Sequence, residues 1–170
     1  MAIQINKLTN VNVYFDGANF AGRAEEVDVP ELNFKMAEHK GLGLFGTFEL
    51  PSGLDKMEAR IKWAGVYPEV LKKVSNPYAA RQIKVHGNLE EFGPSGQTGQ
   101  TPVKITMSGF AKKLPGGKFK QHDNTEMETT FTITACKMVI GTETIFDVDV
   151  YANIFYSAGQ DVLSQFRANS

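Results

Sequence analysis

Residues 126–151 read EMETTFTITACKMVIGTETIFDVDVY, and this stretch decides the class of the fold. Apolar and polar side chains alternate along it with the period of two that is typical of half-buried β-strands. Gly141 interrupts the pattern, so we expect a hairpin with strands from Glu126 to Ile140 and from Glu143 to Tyr151. The predicted inner face of the first strand collects Met127, Thr129, Phe131, Ile133 and Ala135.

The opposite face of the same hairpin is predicted to be polar. It carries Glu126, Glu128, Thr130, Thr132 and Thr134 on the first strand. On the second strand, Asp147 and Asp149 point away from the apolar residues and are expected beside those threonines. An extended acidic face would result. Such a face is ordinarily the solvated side of an antiparallel sheet, but it would line a channel if several subunits closed their sheets into a ring.

The rest of the chain also favours strands. The alternation of Val11, Val13 and Phe15 ends at the turn signal Asp16-Gly17, which predicts a hairpin. Further strands are predicted at Val27 to Met36, with Pro30 at an edge or bulge, Lys56 to Trp63, Arg81 to Leu89 and Val103 to Ala111. The fold class is therefore mainly β, an antiparallel sandwich or barrel in one domain over residues 1–170.

Two short helices complete the predicted elements. Pro68 suits the first position of a helix that flanks the sheet and ends at Ser75, before Asn76-Pro77. A short C-terminal helix is predicted over residues 161–167, with Asp161 as its cap.

Two polar stretches are predicted to be loops. Residues 93–101, GPSGQTGQT, contain almost nothing apolar. Residues 112–124 combine a Pro-Gly-Gly turn with four lysines and are expected to form a solvated loop, although their position before the long hairpin also allows a contact role.

Residues 38–53, EHKGLGLFGTFELPSG, combine features that conflict in an isolated loop. Glycine loses more backbone freedom on ordering than any other residue, while large apolar side chains need burial. Two explanations remain open from composition: a hairpin folded back on its own core, or a contact with another subunit. The side chains that such a contact would use are Leu42, Leu44, Phe45 and Phe48.

The composition excludes several classes of function. The 18 basic and 19 acidic residues give a net charge of −1, which argues against the basic surface of a tight nucleic-acid binder. Cys136 is the only cysteine, so no intrachain disulfide can form. The N-terminal residues lack the apolar region of a secretion signal, and no apolar run approaches a membrane span, so we expect a soluble chain.

The sequence offers no pattern of catalytic or metal-binding residues. His39, His86 and His122 are far apart, and the Asp147-x-Asp149 pair lacks the glycine and glutamate of a calcium loop. The spacing of Gly41, Gly43 and Gly46 resembles a dinucleotide fingerprint, but no βαβ unit surrounds it. We therefore expect no enzyme activity, no cofactor and no metal.

Five segments, taken in order, resemble the major tail tube proteins of contractile-tailed phages and R-type bacteriocins. They are VNVYFDGANFAGR (11–23), VPELNFK (29–35), EHKGLG (38–43), GLDKMEA (53–59) and FKQHDNTEMETTF (119–131). The resemblance spans almost the whole chain. Leu44 and Phe45 depart from it, because a methionine often follows the glycines, and residues 93–101 also look unlike the family.

The resemblance implies a structural protein whose subunits form hexameric rings. The rings would stack into a hollow tube, with each subunit contributing strands to one continuous β-barrel around the lumen. It implies a subunit interface at Gly41, Leu42, Gly43, Leu44, Phe45, Gly46 and Phe48. It also makes Glu128, Thr130, Thr132, Thr134, Asp147 and Asp149 candidate lumen-facing residues.

The same resemblance implies partners and a place of assembly. The partners would be other copies of the chain, a contracting sheath protein, a baseplate and a tail terminator. The tube would be assembled in the bacterial cytoplasm, as part of a virion tail or a bacteriocin particle. DNA would pass through a phage tube without tight binding, whereas ions would pass through a bacteriocin tube. The tube protein would contact the target membrane only as part of the assembled particle. The alternative is a monomeric β-barrel with an apolar cavity for a small ligand.

Overall fold

A computed structural model describes residues 3–170, which consist mainly of antiparallel strands. The strands are β1 (Ile5–Phe15), β2 (Ala18–Asn19), β3 (Ala24–Asp28), β4 (Phe34–His39), β5 (Phe48–Leu54), β6 (Met57–Trp63), β7 (Arg81–Gly93), β8 (Gly96–Lys113), β9 (Met127–Ile140), β10 (Glu143–Asp149), β11 (Ile154–Ser157) and β12 (Gln160–Asp161). The helices are α1 (Pro68–Val74) and α2 (Ser164–Ala168). The predicted mainly-β class is confirmed.

One ten-stranded sheet contains every strand except β4 and β5. Its main path runs β12-β11-β10-β9-β8-β7-β1-β2, and β6 joins it through β9 and carries β3. On the side of β9 away from β8, the first half of the strand pairs with β6 and the second half pairs with β10. β9 is thus the strand on which the two parts of the sheet meet, and the predicted hairpin of β9 and β10 is confirmed.

A bulge in β9 changes which of its side chains point inward. The pairing with β8 shifts between Ser108, opposite Ala135, and Gly109, opposite Ile133, so that Thr134 is an extra residue. Odd-numbered residues are buried before the bulge, but Cys136 is buried after it. The prediction that Ala135 belongs to the core face is therefore wrong: Ala135 is only partly buried, and Cys136 packs opposite Val148 in the core.

The core is built around a group of aromatic rings. Phe15, Phe20, Trp63 and Phe131 are almost completely buried, and the rings of Phe20 and Trp63 lie 5.3 Å apart in an edge-to-face arrangement. Such pairs contribute about 0.5–1.5 kcal/mol beyond the burial of their area. The indole Nε1 of Trp63 donates a hydrogen bond of 2.6 Å to Oγ1 of Thr129, so both polar groups are satisfied inside the core.

The two helices differ in how well their sequence pattern predicted them. Helix α1 begins at Pro68, as expected, and buries Val70 and Val74 against the sheet. Helix α2 begins later than predicted, at Ser164, and has no side-chain cap. Asp161 belongs to β12 instead, where its carboxylate accepts a hydrogen bond from the backbone of Leu163 and pairs with Arg167.

Two predicted elements are wrong. The strand expected from Val27 to Met36 is interrupted: β3 ends at Asp28 and β4 begins at Phe34, because Pro30 between them cannot donate a backbone hydrogen bond. The loop expected at residues 93–101 is mostly strand, since backbone groups of β7 and β8 pair there and Gly96, at φ 111°, completes the turn. The other predicted loop, residues 112–124, is confirmed from Leu114 onward, whereas Lys112 and Lys113 are the last residues of β8.

Candidate subunit-contact arm and polar faces

The glycine-rich segment lies at the end of a separate two-stranded hairpin, which we call the arm (residues 34–54). Ala37 pairs with Leu50 and His39 pairs with Phe48, so that residues 40–47 form the connecting loop. Every residue from 33 to 53 is exposed. The hypothesis of a hairpin folded back on its own core is therefore wrong, because the arm extends into solvent.

The tip of the arm brings together the predicted contact residues. Leu42 and Phe45 are fully exposed, while Leu44 and Phe48 are each about half exposed. The backbone N–H of Leu44 bonds to the carbonyl of Gly41 at 3.3 Å, and Gly43 has a φ of 82° that favours glycine. The tip is thus an ordered turn that exposes apolar side chains. The residues that the sequence predicted for a subunit interface all lie in or beside this turn: Gly41, Leu42, Gly43, Leu44, Phe45, Gly46 and Phe48.

The arm carries further exposed apolar residues that the glycine pattern did not indicate. Phe34, Met36 and Leu50 on its two strands are about half exposed. The ring of Phe34 lies 5.6 Å from that of Phe155, which connects the base of the arm to β11. The period-two alternation of β4 and β5 could have revealed these residues. Complete burial of one large apolar side chain contributes about 1.5–3 kcal/mol, so burial of these side chains by a partner would favour association.

The polar face beside β6 contains both signs of charge. Glu128 is exposed and lies directly opposite Lys62. The ammonium of Lys62 lies 2.9 Å from a carboxylate oxygen of Glu126 and 3.1 Å from one of Glu25. The hydrogen bonds that the ammonium of Lys62 donates to Glu126 and then to Glu25 raise the pKa of Lys62 to about 12. This part of the face is therefore mixed in charge and not purely acidic as expected, because Lys62 lies among three glutamates.

The second half of the hairpin is also mixed in charge. Asp147 lies opposite Lys137, and their charged groups are 3.1 Å apart. Asp149 accepts a hydrogen bond of 3.0 Å from the backbone of Ala152. On the same face, Lys137 is followed across the sheet by Thr106 and then Lys84. The sequence did not reveal these lysines as neighbours, because their proximity depends on the register of distant strands.

The predicted lumen-facing residues do not form one cluster. Glu128 and Lys137 are nine positions apart on β9, a distance of about 30 Å along a strand. Thr130 is buried, while Thr132 and Thr134 are half-buried, and Thr134 donates a hydrogen bond to the carbonyl of Ser108. Asp147 and Asp149 lie opposite Lys137 and Ala135, beyond the bulge. The expectation that the aspartates lie beside the row of threonines is thus wrong for Asp147, whereas Asp149 lies at the end of that row, opposite the residue that follows Thr134.

His86 lies on the basic part of this sheet face. It pairs with Lys104 across β7 and β8, and its ring is 4.8 Å from that of Tyr14. Burial lowers the pKa of His86, and the positive charges of Lys104 and Lys84 lower it further. Its imidazole is therefore biased toward the neutral form, so it adds little charge to this face near neutral pH.

The structure offers little chemistry elsewhere. In residues 3–170, no group of three His, Cys, Asp or Glu side chains is arranged to hold a metal ion. Cys136 is buried, and burial followed by the charge of Asp147 raises the pKa of its thiol to about 12, which keeps it protonated. Neither helix among these described residues has the length and apolar composition that crossing a membrane requires.

A cleft beside β3 and β6 does not fit the ligand-binding alternative. Its volume is about 730 Å³, but it is open and lined by charged side chains that include Asp28, Glu58 and Arg60. A small-ligand barrel requires an enclosed and mostly apolar cavity. Aromatic rings fill the sheet interior instead, so the alternative is not supported.

Comparison with known proteins agrees with this architecture. A tail tube protein of Escherichia phage P2 is 27% identical over 170 residues, which cover 96% of this chain and 95% of the relative. A solved chain from the sheath-tube complex of an extracellular contractile injection system, PVC, in its extended state aligns with a TM-score of 0.55 and 15% identity, over 78% of this chain and 88% of that one.

A chain from the sheath/tube terminator of the same system is similar to the same degree. Its TM-score is 0.55 and its identity is 15%, over 76% of this chain and 92% of the other. At this identity the two structures support the fold alone. The sequence also matches the model of the phage tail tube protein FII family over residues 5–169. This chain therefore belongs to the phage tail tube protein FII family.

Proposed function

We propose that this chain is the structural subunit of the inner tube of a contractile tail, in which hexameric rings stack into a hollow conduit. The observation that carries the proposal is the arm, which holds its apolar tip in solvent in the single chain. Large exposed apolar surfaces mark sites of association. In the assembled tube, Leu42, Leu44, Phe45 and Phe48 would be covered by a neighbouring copy, while the glycines would allow close approach of the two backbones.

The similar proteins support a set of partners. The P2 relative is a tail tube protein, and the two solved structures contain a sheath and a tube terminator. By analogy, copies of this chain would contact one another, a surrounding sheath, a terminator and a baseplate. The sheath would supply the force through its contraction. The tube itself would act as a rigid, non-enzymatic channel, for DNA in a phage or for ions in a bacteriocin.

We assign the channel wall to Glu128, Thr132, Thr134, Asp147 and Asp149 and their neighbours, whereas Thr130, which is buried in the single chain, does not face the channel. The ion pair of Asp147 with Lys137 and the position of Lys62 opposite Glu128 offset part of the negative charge of the wall. A wall without an excess of positive charge would not hold a passing polyanion by counterion release. The function of a conduit requires this weak interaction.

The test compares assembly of the native chain with that of a tip variant. The purified native protein should form rings or hollow tubes in negative-stain images as its concentration rises, with a parallel increase in light scattering. Phe45→Asp should remain dispersed while keeping the native circular dichroism spectrum, because it places a charge in the proposed contact.

Tyr78→Asp is the matched control, because Tyr78 is another highly exposed aromatic residue but lies outside the arm. This variant should assemble as the native chain does. Normal tubes from Phe45→Asp would refute the role of the tip. A native chain that stays monomeric even with a cognate baseplate would refute the tube function.

A further inference from the structure

One face of the arm is apolar except for a single histidine. On this face, Ala37 lies opposite Leu50, and His39 lies opposite Phe48. Cross-strand partners share a face of a hairpin, so these four side chains form one continuous group. All four are exposed in the single chain. A neighbouring copy that buried the apolar members of this group would therefore bury His39 with them.

His39 also borders the tip of the arm. Its ring centroid lies 5.4 Å from that of Phe48, and the two rings are tilted by 59°. A Cβ atom added to Gly41 would lie 3.7 Å from Nε2 of His39 and 3.1 Å from Cδ1 of Leu44. The imidazole thus adjoins Phe48 on one side and the part of the tip that carries Leu44 on the other. Both neighbours belong to the proposed subunit contact.

No negative charge of the arm is paired with the imidazole. The other charged residues of the arm and its base are Lys35, Glu38, Lys40, Glu49 and Asp55. Lys35 lies 4.0 Å from Asp55, and Lys40 lies 3.5 Å from Glu38. The two glutamates lie opposite each other, on the face that His39 does not share. Within residues 3–170, a proton on His39 would therefore have no carboxylate partner.

This environment makes the charge of the imidazole important for association. Histidine is the side chain whose charge ordinarily changes between about pH 5 and 8. In the single chain, water can solvate either form of the exposed ring. In an apolar contact, a neutral imidazole is tolerated, whereas a charge that lacks a partner is costly to bury. The proton is therefore bound more readily by the dispersed chain than by the assembled one, so acid favours dispersal.

We propose that protonation of His39 opposes docking of the arm, so that tube assembly weakens as the pH falls below neutrality. The inference rests on the tube function and adds a form of regulation to the contact that the arm makes. Neutral His39 is buried together with Leu44 and Phe48 when a neighbouring copy covers them. Protonated His39 keeps its water, and the apolar face of the arm stays exposed with it.

The concentration at which half of the protein is assembled, measured by light scattering and sedimentation, tests this inference. For the native chain it should rise on the order of tenfold between about pH 7.5 and about pH 5.5, since most free histidine side chains are protonated at the lower value. His39→Gln cannot take up a proton, so its assembly should change little over the same range. His39→Lys carries a permanent charge and should assemble poorly at both values. Circular dichroism should show that both variants are folded.

His122→Asn is the matched control. His122 is exposed but lies outside the arm, in the loop that follows β8. Its φ is 64°, a conformation that asparagine tolerates. This variant should keep the pH dependence of the native chain. The third histidine, His86, is partly buried, and burial lowers its pKa, so its charge should change less over this range.

Several outcomes would overturn the inference. One is a native chain that assembles equally well at both pH values, and another is an unchanged pH dependence in His39→Gln. Normal assembly of His39→Lys would show that the contact tolerates a charge at this position. Stronger native assembly in acid would show that a carboxylate of the neighbouring copy pairs with the ring. Native tubes near neutral pH would leave the tube function standing in all four cases, whereas failure of the native chain to assemble at either pH, even with a cognate baseplate, would remove both.

Chemical modification tests the burial of His39 independently of the pH dependence. Diethylpyrocarbonate acylates accessible neutral imidazoles, and mass spectrometry of the digested protein measures each histidine separately. Near neutral pH, His39 should react much more slowly in native tubes than in the native chain at a concentration too low for assembly. Equal rates of modification of His39 in the two samples would overturn the proposal that the contact buries it.

Discussion

Gly109 occupies a position where a side chain has no room. A Cβ atom there would collide with the carbonyl oxygen of Thr132 and would lie 2.9 Å from the Cα of Ile133. The contact occurs at the bulge that reverses the inward side of β9. Both colliding groups belong to the backbone of a central strand, which cannot move aside without breaking the sheet.

Gly109→Ala is therefore expected to lower the free energy of unfolding by about 1–3 kcal/mol, the usual range for an overpacked core. Urea denaturation followed by circular dichroism measures the change. Gly116→Ala is the matched control, because no heavy atom lies within 4 Å of its added Cβ. Equal stability of the two variants would contradict the described approach of β8 and β9.

Asp161 makes the stability of the carboxyl-terminal end depend on pH. The hydrogen bond from Arg167, helped by one from the backbone of Leu163, lowers the pKa of Asp161 below its usual 3.8. A carboxyl group with a lowered folded pKa contributes stability above its unfolded pKa and loses it as the pH falls through the folded value. The effect therefore belongs to the acid range below about pH 4.

Asp161→Asn should consequently lower the melting temperature at pH 7, and the difference from the native chain should shrink as the pH falls below 4. Thermal melts across pH 2–7 would show this convergence. Glu143→Gln is the control, because Glu143 makes no ion pair within residues 3–170. A melting-temperature difference for Asp161→Asn that stays constant down to pH 2 would contradict the assigned pair.

At the scale of elements, local patterns predicted the strands and helix whose burial follows from their own sequence. The alternation of β6 and β9 and the Pro68 start of α1 are confirmed. The sequence pattern did not predict the strand pairing at residues 93–101. Backbone hydrogen bonds between β7 and β8 hold this segment, and its side chains show no apolar alternation.

Features that depend on two distant strands were also beyond the sequence pattern. The bulge in β9 depends on Gly109 in β8, and the lysines opposite Glu128 and Asp147 depend on register. The composition of the segment predicted the candidate contact residues at the tip of the arm, because large apolar side chains between glycines indicated that another subunit would bury them. The position of the arm strands in solvent, away from the core, required the structure.

The arm is an element whose loss should separate folding from assembly. Replacing residues 40–47, which connect the paired His39 and Phe48, with a two-residue Asn-Gly turn should preserve the hairpin, because such turns match the twist of antiparallel strands. The tip lies outside the buried core, so the melting temperature should change little. Light scattering and negative-stain images should show no tubes. Tubes of normal length from this variant would contradict the contact role of the tip.

At the scale of the whole molecule, the charge balance of the channel wall should control transport but not assembly. Lysine at Glu128, Asp147 or Asp149 makes the wall basic, and a basic wall would retain DNA through its phosphates. In a phage particle, we expect normal tubes with slower DNA ejection, measured by the fluorescence of released DNA. Asp147→Lys should have the largest effect, because it removes the partner of Lys137. Unchanged ejection in all three variants would show that these side chains do not face the channel.

A high-resolution electron-microscopy map of the tube assembled from the native chain tests the central claim most directly. The account predicts stacked six-fold rings around an open lumen, with Leu42 and Phe45 of each arm buried against a neighbouring copy. A map in which the arm tips remain in solvent, or in which the assembly has no continuous lumen, would contradict it.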